Sequence, residues 1–294
     1  GSKVFAKNLM RRHKIPTADY AVFDDPNDAR AYVERKGAPI VLKADGAAAG
    51  KGVLICKDLR AAYDAIEQIM EARVFGAAGD RVVVEEFMVG QEMSLLFFTD
   101  GATVVPLEPA RDYKAARDGD EGPNTGGMGS YSLADHSMPF LRPQDLHDGL
   151  EITRQVAEVL LKETGSPYKG VMYGGFIATK DGVKLLEYNA RFGDPEAMNI
   201  LPLLKTDFVD VCRHIIAGTL DQIEIEFDKK ATVCKYVVPK GYGLPADHPD
   251  AASSRAKIEV GNVGRARLYY SSVDQKDDGL YLSSSRAIGI VGIA

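Results

Sequence analysis

Glu187, Asn189 and Arg191 fall two residues apart at the end of an apolar run, in the stretch LLEYNARFGDPE from Leu185 to Glu196. On a β-strand, residues two apart point to the same face. A carboxylate beside an amide carbonyl offers hard oxygen donors, the kind magnesium takes together with nucleotide phosphates. Arg191 adds a positive charge for an anion on that face. The Gly193-Asp194-Pro195-Glu196 turn then ends the strand and opens a helix, with Pro195 at an early position. A polar strand end running into a capped helix would account for the same residues without any ligand.

Three further segments carry chemistry. KADGAAAGKGV, Lys43 to Val53, places small residues between two β-branched strands, so that backbone N–H groups stay unshielded and can wrap an anion. Lys43 and Lys51 bracket it with charge. It is not a Walker A loop: Gly46 and Gly50 are too close, and Gly52 replaces the Ser/Thr after the lysine. A flexible hairpin is the alternative. VVVEEFMVGQE, Val82 to Glu92, ends a buried strand in Glu85 and Glu86, then Phe87-Met88 and a further carboxylate at Glu92. Such a strand exit offers backbone donors and acceptors between apolar faces for a base, and a carboxylate for ribose hydroxyls. GPNTGGMGSYS, Gly122 to Ser132, reads as a glycine loop beside the cluster Arg111, Asp112, Lys114 and Arg117, suited to a phosphate or charged substrate. A surface loop would look similar.

These segments need elements to hold them. Helical patterns cover Phe5–Met10, stopping at Ile15-Pro16, then Asp28–Lys36, Leu59–Ala72, Gln144–Thr164 and Thr206–Gly218. Strand patterns cover Pro39–Lys43, Val53–Cys56, Val82–Glu86, Ser94–Phe98, Thr103–Pro106, Gly170–Thr179 and Val183–Asn189. From Glu224 onward short strands follow one another: Ala231–Val238, Lys257–Glu259, Arg267–Ser271, Gly279–Ser283 and Ala287–Val291. The expected organisation is α+β in three regions, 1–92, 93–223 and a mostly-β 224–294. At 294 residues the chain has length for a sizeable core. A net charge of -6 argues against a general binder of nucleic acid or membrane surfaces. Cys56, Cys212 and Cys234 lie far apart with no C-x-x-C pairing, as in a reducing, cytoplasmic setting. The five histidines show no metal-ligand spacing, which argues against zinc. No apolar run approaches the roughly 20 residues of a membrane span.

Taken in this order, the four segments resemble the ATP-grasp enzymes, and within them the glycinamide ribonucleotide synthetase (phosphoribosylamine–glycine ligase) family. The similarity runs from Gly-Ser-Lys at the start, through IPTA at Ile15–Ala18, to SRAIGIVGI near the end. GPNTGGMG and EYNARFGDPE are its specific motifs. Ala47 stands where the family usually has leucine. The resemblance implies an ATP-grasp fold with a small β domain after it. It implies that Lys43 and the Gly46–Gly52 loop, with Gly50 and Lys51, hold ATP phosphates under a closing lid. Glu85, Glu86, Phe87 and Met88 would grip adenine, Glu92 the ribose, and Glu187 with Asn189 a Mg2+ or Mn2+ ion. Asp112, Lys114, Asn124, Thr125, Gly126, Gly127, Met128, Gly129, Arg191, Asp194 and Pro195 would position glycine and phosphoribosylamine. Lys51, Lys114, Arg191 and Asp194 would supply the catalytic charges.

The implied reaction joins glycine to 5-phosphoribosylamine through a glycyl phosphate, at the cost of ATP, in purine biosynthesis. It needs positioning and charge neutralisation, with no side-chain nucleophile. The family carries an N-terminal Rossmann-like domain before the point where this chain starts, and continues past Ala294. The expectation is therefore an ATP-grasp core that binds Mg·ATP and is poor or inactive as a ligase alone. Two alternatives follow: another ATP-grasp carboxylate–amine ligase, or an ATP-binding fragment without catalysis.

Overall fold

The structure, a computed structural model, describes residues 2–46, 48, 52–119, 121–244, 248–251 and 255–294, and only the backbone of Pro123 and Asn124. In chain order its elements begin with α1 (Lys3–Arg12), β1 (Tyr20–Phe23), α2 (Pro26–Lys36), β2 (Ile40–Ala44), β3 (Val53–Cys56), α3 (Leu59–Ile66) and β4 (Val82–Glu86). Then come β5 (Gly90–Thr99), β6 (Val104–Pro106), β7 (Arg111–Arg117), β8 (Glu121–Ser132), α4 (Pro143–Thr164), β9 (Gly170–Thr179) and β10 (Gly182–Asn189). The chain closes with α5 (Glu196–Ile200), α6 (Phe208–Ala217), β11 (Thr232–Val237), β12 (Lys257–Ile258), β13 (Arg267–Tyr270), β14 (Val273–Lys276), β15 (Gly279–Leu282) and β16 (Ile288–Ile293).

Two compact units form, interleaved along the sequence. The first holds Gly1–Met93, Pro143–Tyr168 and Gly174–Asn189; the second holds Ser94–Arg142, Lys169–Tyr173 and Ala190–Ala294. Neither unit is one continuous stretch of chain. Tertiary packing does this: α4, β10 and the later part of β9 group with the N-terminal elements, and Thr153 Oγ1 on α4 meets the Tyr188 hydroxyl on β10 at 2.7 Å.

In the first unit an antiparallel sheet runs β1-β4-β2-β3. Its helices start at side-chain caps. Ser2 accepts from Phe5 N–H, Asp25 from Asn27 and Asp28 N–H, and Asp58 from Ala61 N–H. The helix expected to reach Ala72 loosens after Ile66 into one π-helical turn, Glu67–Glu71, closed by Ala72 N–H on Glu67 O at 2.8 Å. Val33, Leu42, Ile66, Ile69 and Val84 are fully buried between helices and sheet. Each such side chain contributes roughly 1.5–3 kcal/mol of transfer free energy.

A second sheet orders its strands β10-β9-β5-β6. In the second unit, Leu96, Phe98, Ile200, Val211 and Leu220 make a core in which Phe98 meets Phe192 edge-on, 6.1 Å between centroids. GPNTGGMGSYS, expected as a loop, is strand β8. It pairs with β7 through a bulged register and with β11 from Thr232↔Ser132 to Lys235↔Gly129. The long-range partner β11 overrides the local glycine signal. With β13 and β16 these strands form a five-stranded sheet, β13-β16-β11-β8-β7, while β12, β15 and β14 form a smaller one. Among the described residues, no helix is long and apolar enough to cross a membrane.

Candidate functional site

Strand alternation sets up the end of β10. Val183 and Leu185 are buried, and Glu187 and Asn189 continue the same row where the strand becomes accessible. The side chains meet: Asn189 Nδ2 lies 3.3 Å from Glu187 Oε1. IPTA fastens this strand to α1, since Thr17 and Leu185 form a parallel bridge, Leu185 N–H donates to Pro16 O, and Thr17 Oγ1 donates to Leu185 O at 2.6 Å.

Around that strand end, within the same unit, lysines converge. Lys43 on β2 and Lys7 on α1 each place Nζ 3.0 Å from Glu85 Oε2 on β4. Lys7 also donates to Thr17 Oγ1 at 2.7 Å. Lys3, one turn before Lys7, donates to Ala44 O at 3.0 Å and Gly46 O at 2.9 Å, where the glycine segment begins. Burial lowers the pKa of Lys3, opposed chiefly by the field of Glu187, with Lys43, Asp45 and Glu85 also acting on it. Burial likewise lowers that of Lys7, opposed by Glu85. One oxygen of Glu85 is satisfied twice; the other, Oε1, is the one buried side-chain polar atom without a partner among the described residues. A buried acceptor left open beside cationic donors fits a bound group with an N–H or O–H to give.

The other expected nucleotide residues are distributed as follows. Gly52 closes the glycine segment, its carbonyl accepting from Ala44 N–H at 2.9 Å. Gly50 and Lys51 lie outside the described residues. Glu86 accepts from Asp19 N–H and Lys184, so its side chain is engaged. Phe87 and Met88 lie between β4 and β5, with Phe87 exposed, and Glu92 is exposed on β5.

The second unit carries a separate cluster. Asp112 and Lys114 on β7 approach to 3.5 Å, and Thr125 Oγ1 donates to Lys114 O at 2.9 Å. Gly126 and Gly127 on β8 are drawn to Asp194 by a residue the sequence reading missed. Arg286 donates to the carbonyls of Gly126 (2.8 Å), Gly127 (3.1 Å) and Asp194 (3.1 Å), and to the Asp194 carboxylate (2.8 Å). Tyr236 donates to the other Asp194 oxygen at 2.7 Å while its ring lies under the guanidinium, 4.6 Å away. Burial, and then its bond to Asp194, push the Tyr236 hydroxyl up to about 12. This packing explains the glycines. A Cβ on Gly126 would lie 3.0 Å from Arg286 Nη2, and one on Gly127, at φ +109°, would lie 2.9 Å from Pro195 Cδ. Met128 and Gly129 continue β8, with Gly129 paired to Tyr113 and Lys235. The Asn124 side chain lies outside the described atoms.

A buried line of oxygens completes this cluster. Tyr173 hydroxyl stands 2.7 Å from Glu196 Oε1 and 2.9 Å from Ser94 Oγ, which in turn stands 3.3 Å from Asp112 Oδ1. Arg191 lies over the Tyr173 ring at 5.8 Å and donates to Phe192 O. Burial first, then Asp112, raises the pKa of Glu196. Of the residues missed, Glu196 was visible as the last letter of EYNARFGDPE, and Lys3 and Lys7 as a helical i, i+4 pair. Ser94, Tyr173, Tyr236 and Arg286 had no local signal.

Residues 1–197 match the family described as phosphoribosylglycinamide synthetase, ATP-grasp (A) domain. Phosphoribosylamine–glycine ligases of Methanococcoides burtonii and Methanocella arvoryzae are 44% and 42% identical to 99% of the chain, which spans 65% of their length. The crystal structure of phosphoribosylamine–glycine ligase from Thermotoga maritima superposes with a TM-score of 0.87 at 30% identity, covering 100% of this chain and 71% of that one. A biotin carboxylase domain from Hydrogenobacter thermophilus shares the fold at a TM-score of 0.71 and 18% identity, covering 100% of this chain and 62% of that one. The chain belongs to the phosphoribosylglycinamide synthetase family and has the α+β ATP-grasp fold.

Proposed function

We propose that the protein is the ATP-dependent ligase that joins glycine to 5-phosphoribosylamine, giving glycinamide ribonucleotide, ADP and phosphate in purine biosynthesis. The observation that carries this reading is the first unit's cluster: an oxygen-donor pair, Glu187 and Asn189, in the same electrostatic neighbourhood as Lys3, Lys43 and Glu85. The nucleotide phosphates belong against Lys3, Lys43 and the Gly46–Gly52 segment, where Lys51 adds a further positive charge. The base belongs against the β4 exit, Glu86 to Met88, with the open Glu85 Oε1 accepting from its amine and Glu92 taking the ribose. Glu187 and Asn189 fit a Mg2+ or Mn2+ ion, being two adjacent hard donors that leave the remaining positions to phosphate and water. Bound there, the ion would neutralise the charge that develops on the transferred phosphoryl group.

The second unit's residues take the acceptor role. Arg191 and Lys114 would hold carboxylate and phosphoryl charge, and Asp112, Thr125 to Gly129, Asp194 and Pro195 would shape the site for glycine and the amine. The glycine carboxylate attacks the γ-phosphate, and the amine captures the resulting acyl phosphate, a sequence that asks for alignment and charge rather than a covalent enzyme intermediate. The relatives extend beyond the region matched here, and we place the remaining phosphoribosyl contacts there, in the same polypeptide or a separate chain. A cytoplasmic setting belongs to the same reading: Cys56, Cys212 and Cys234 are free thiols, and burial raises Cys56 to about 11 and Cys234 to about 12.

Phosphate release from Mg·ATP, with glycine and phosphoribosylamine omitted in turn, tests the proposal. With the region that the relatives carry beyond this match supplied, in the same polypeptide or in trans, the expected result is release that requires both. Release with another acid in place of glycine would overturn the assignment.

A further inference from the structure

Three contacts join four oxygens in the second unit: Glu196 Oε1 to Tyr173 hydroxyl, Tyr173 hydroxyl to Ser94 Oγ, and Ser94 Oγ to Asp112 Oδ1, at 2.7, 2.9 and 3.3 Å. Each hydrogen bond needs a hydrogen of its own. Ser94 and Tyr173 supply one each. With both carboxylates ionised, the two hydroxyls would donate outward, to Asp112 and to Glu196. The central 2.9 Å contact would then set two buried oxygens against each other without a hydrogen. A third hydrogen removes that conflict, and the only groups on the line able to carry it are the two carboxyls.

We propose that Glu196 and Asp112 hold a single proton between them at neutral pH, shared along Tyr173 and Ser94. The line has two complete settings. In one, Glu196 O–H donates to Tyr173, Tyr173 to Ser94, and Ser94 to an ionised Asp112. In the other, every bond is reversed and Asp112 is the acid. Burial selects the first. Glu196 is 1% exposed and Tyr173 and Ser94 are buried, whereas Asp112 reaches the surface beside Lys114, 3.5 Å away. Of the charged groups around the line, Asp112 acts in the same direction and Lys114, more weakly, against it. Arg191 faces the Tyr173 ring rather than either carboxyl. Cys234, which also feels Glu196, is itself held neutral by burial.

This inference rests on the ligase reading only for its chemical use. There, the amine nitrogen forms a bond to the acyl carbon, and the carbon–oxygen bond to the phosphoryl group breaks with its electron pair leaving on phosphate. The surplus nitrogen proton passes to Asp112 and from it to the released phosphate. Because Glu196 keeps the shared proton, Asp112 remains ionised and available as that acceptor.

Infrared difference spectroscopy on the protein alone, without substrates, reads the proton directly through the C=O stretch of a protonated carboxyl. The wild type at neutral pH is expected to show such a band that is lost in Glu196→Gln. Asp112→Asn is expected to lose it as well, because its amide N–H supplies the third hydrogen and lets Glu196 ionise. Glu108→Gln should leave it in place, which separates it from a second buried carboxyl whose pKa burial also raises. Tyr173→Phe, which keeps the ring and cuts the line, is expected to shift the band. A wild-type spectrum lacking any band removed by Glu196→Gln or Asp112→Asn would overturn the proposal. The band present together with phosphate release driven by another acid in place of glycine would keep the shared proton and overturn the ligase reading instead.

Discussion

Replacing Glu85 by Gln changes charge at almost constant volume, so no cavity term enters. The wild-type carboxylate is 2% exposed and is the common partner of Lys7 and Lys43, both at 3.0 Å and themselves nearly buried. Glu85→Gln leaves two ammonium groups facing an amide. Breaking a buried ion pair from one side typically costs about 3–5 kcal/mol, because an uncompensated buried charge remains. For a unit of this size, a loss of that order lowers Tm by roughly 6–20 °C, at about 2–4 °C per kcal/mol. The pH dependence carries a sign. Burial already holds the Lys7 pKa below the ordinary lysine value, and loss of Glu85 removes the attraction opposing that shift. Between the lowered value and the unfolded value of about 10.4, the unfolded chain binds more protons than the native one, so the variant gains stability as pH rises. Thermal denaturation at several pH values, wild type against variant, measures both effects. A loss under about 1 kcal/mol, with no gain toward alkaline pH, would refute the claim that the two lysines are buried and charged on Glu85.

Two further variants probe each cluster on its own. Glu187→Ala is expected to abolish the magnesium dependence of ATP binding, followed by calorimetry with and without the metal, while leaving thermal stability within about 0.5 kcal/mol because the site is partly exposed. Gly127→Ala places a Cβ 2.9 Å from Pro195 Cδ and 3.0 Å from Asp194 O at a φ of +109°. It should cost about 1–3 kcal/mol in urea denaturation and weaken glycine use more than ATP binding.

Much of the architecture was legible because it is local. The long helix and the strand Gly170–Thr179 follow from periodicity alone, and the observed α4 and β9 agree with them. The spacing of Glu187 and Asn189 is equally local: a period of two on a strand puts them side by side whatever surrounds them. The glycines of GPNTGGMG, expected in a loop, lie on strand β8. Their number signals backbone closeness, and the sequence cannot tell whether the close neighbour is a ligand or the protein itself. The close neighbours in the structure are Arg286 and Pro195.

What the sequence determined by itself was therefore the set of chemical parts, four segments whose residue types and spacing imply nucleotide, metal and acceptor chemistry. Tertiary structure decided how those parts are charged and held. Arg286 reaches Gly126 across 160 residues, Lys7 and Lys43 share one carboxylate from three elements, and Ser94 and Tyr173 link two acids far apart in the chain. Such convergence leaves no periodic trace, because burial and hydrogen-bond closure depend on which elements pack together rather than on neighbours along the backbone.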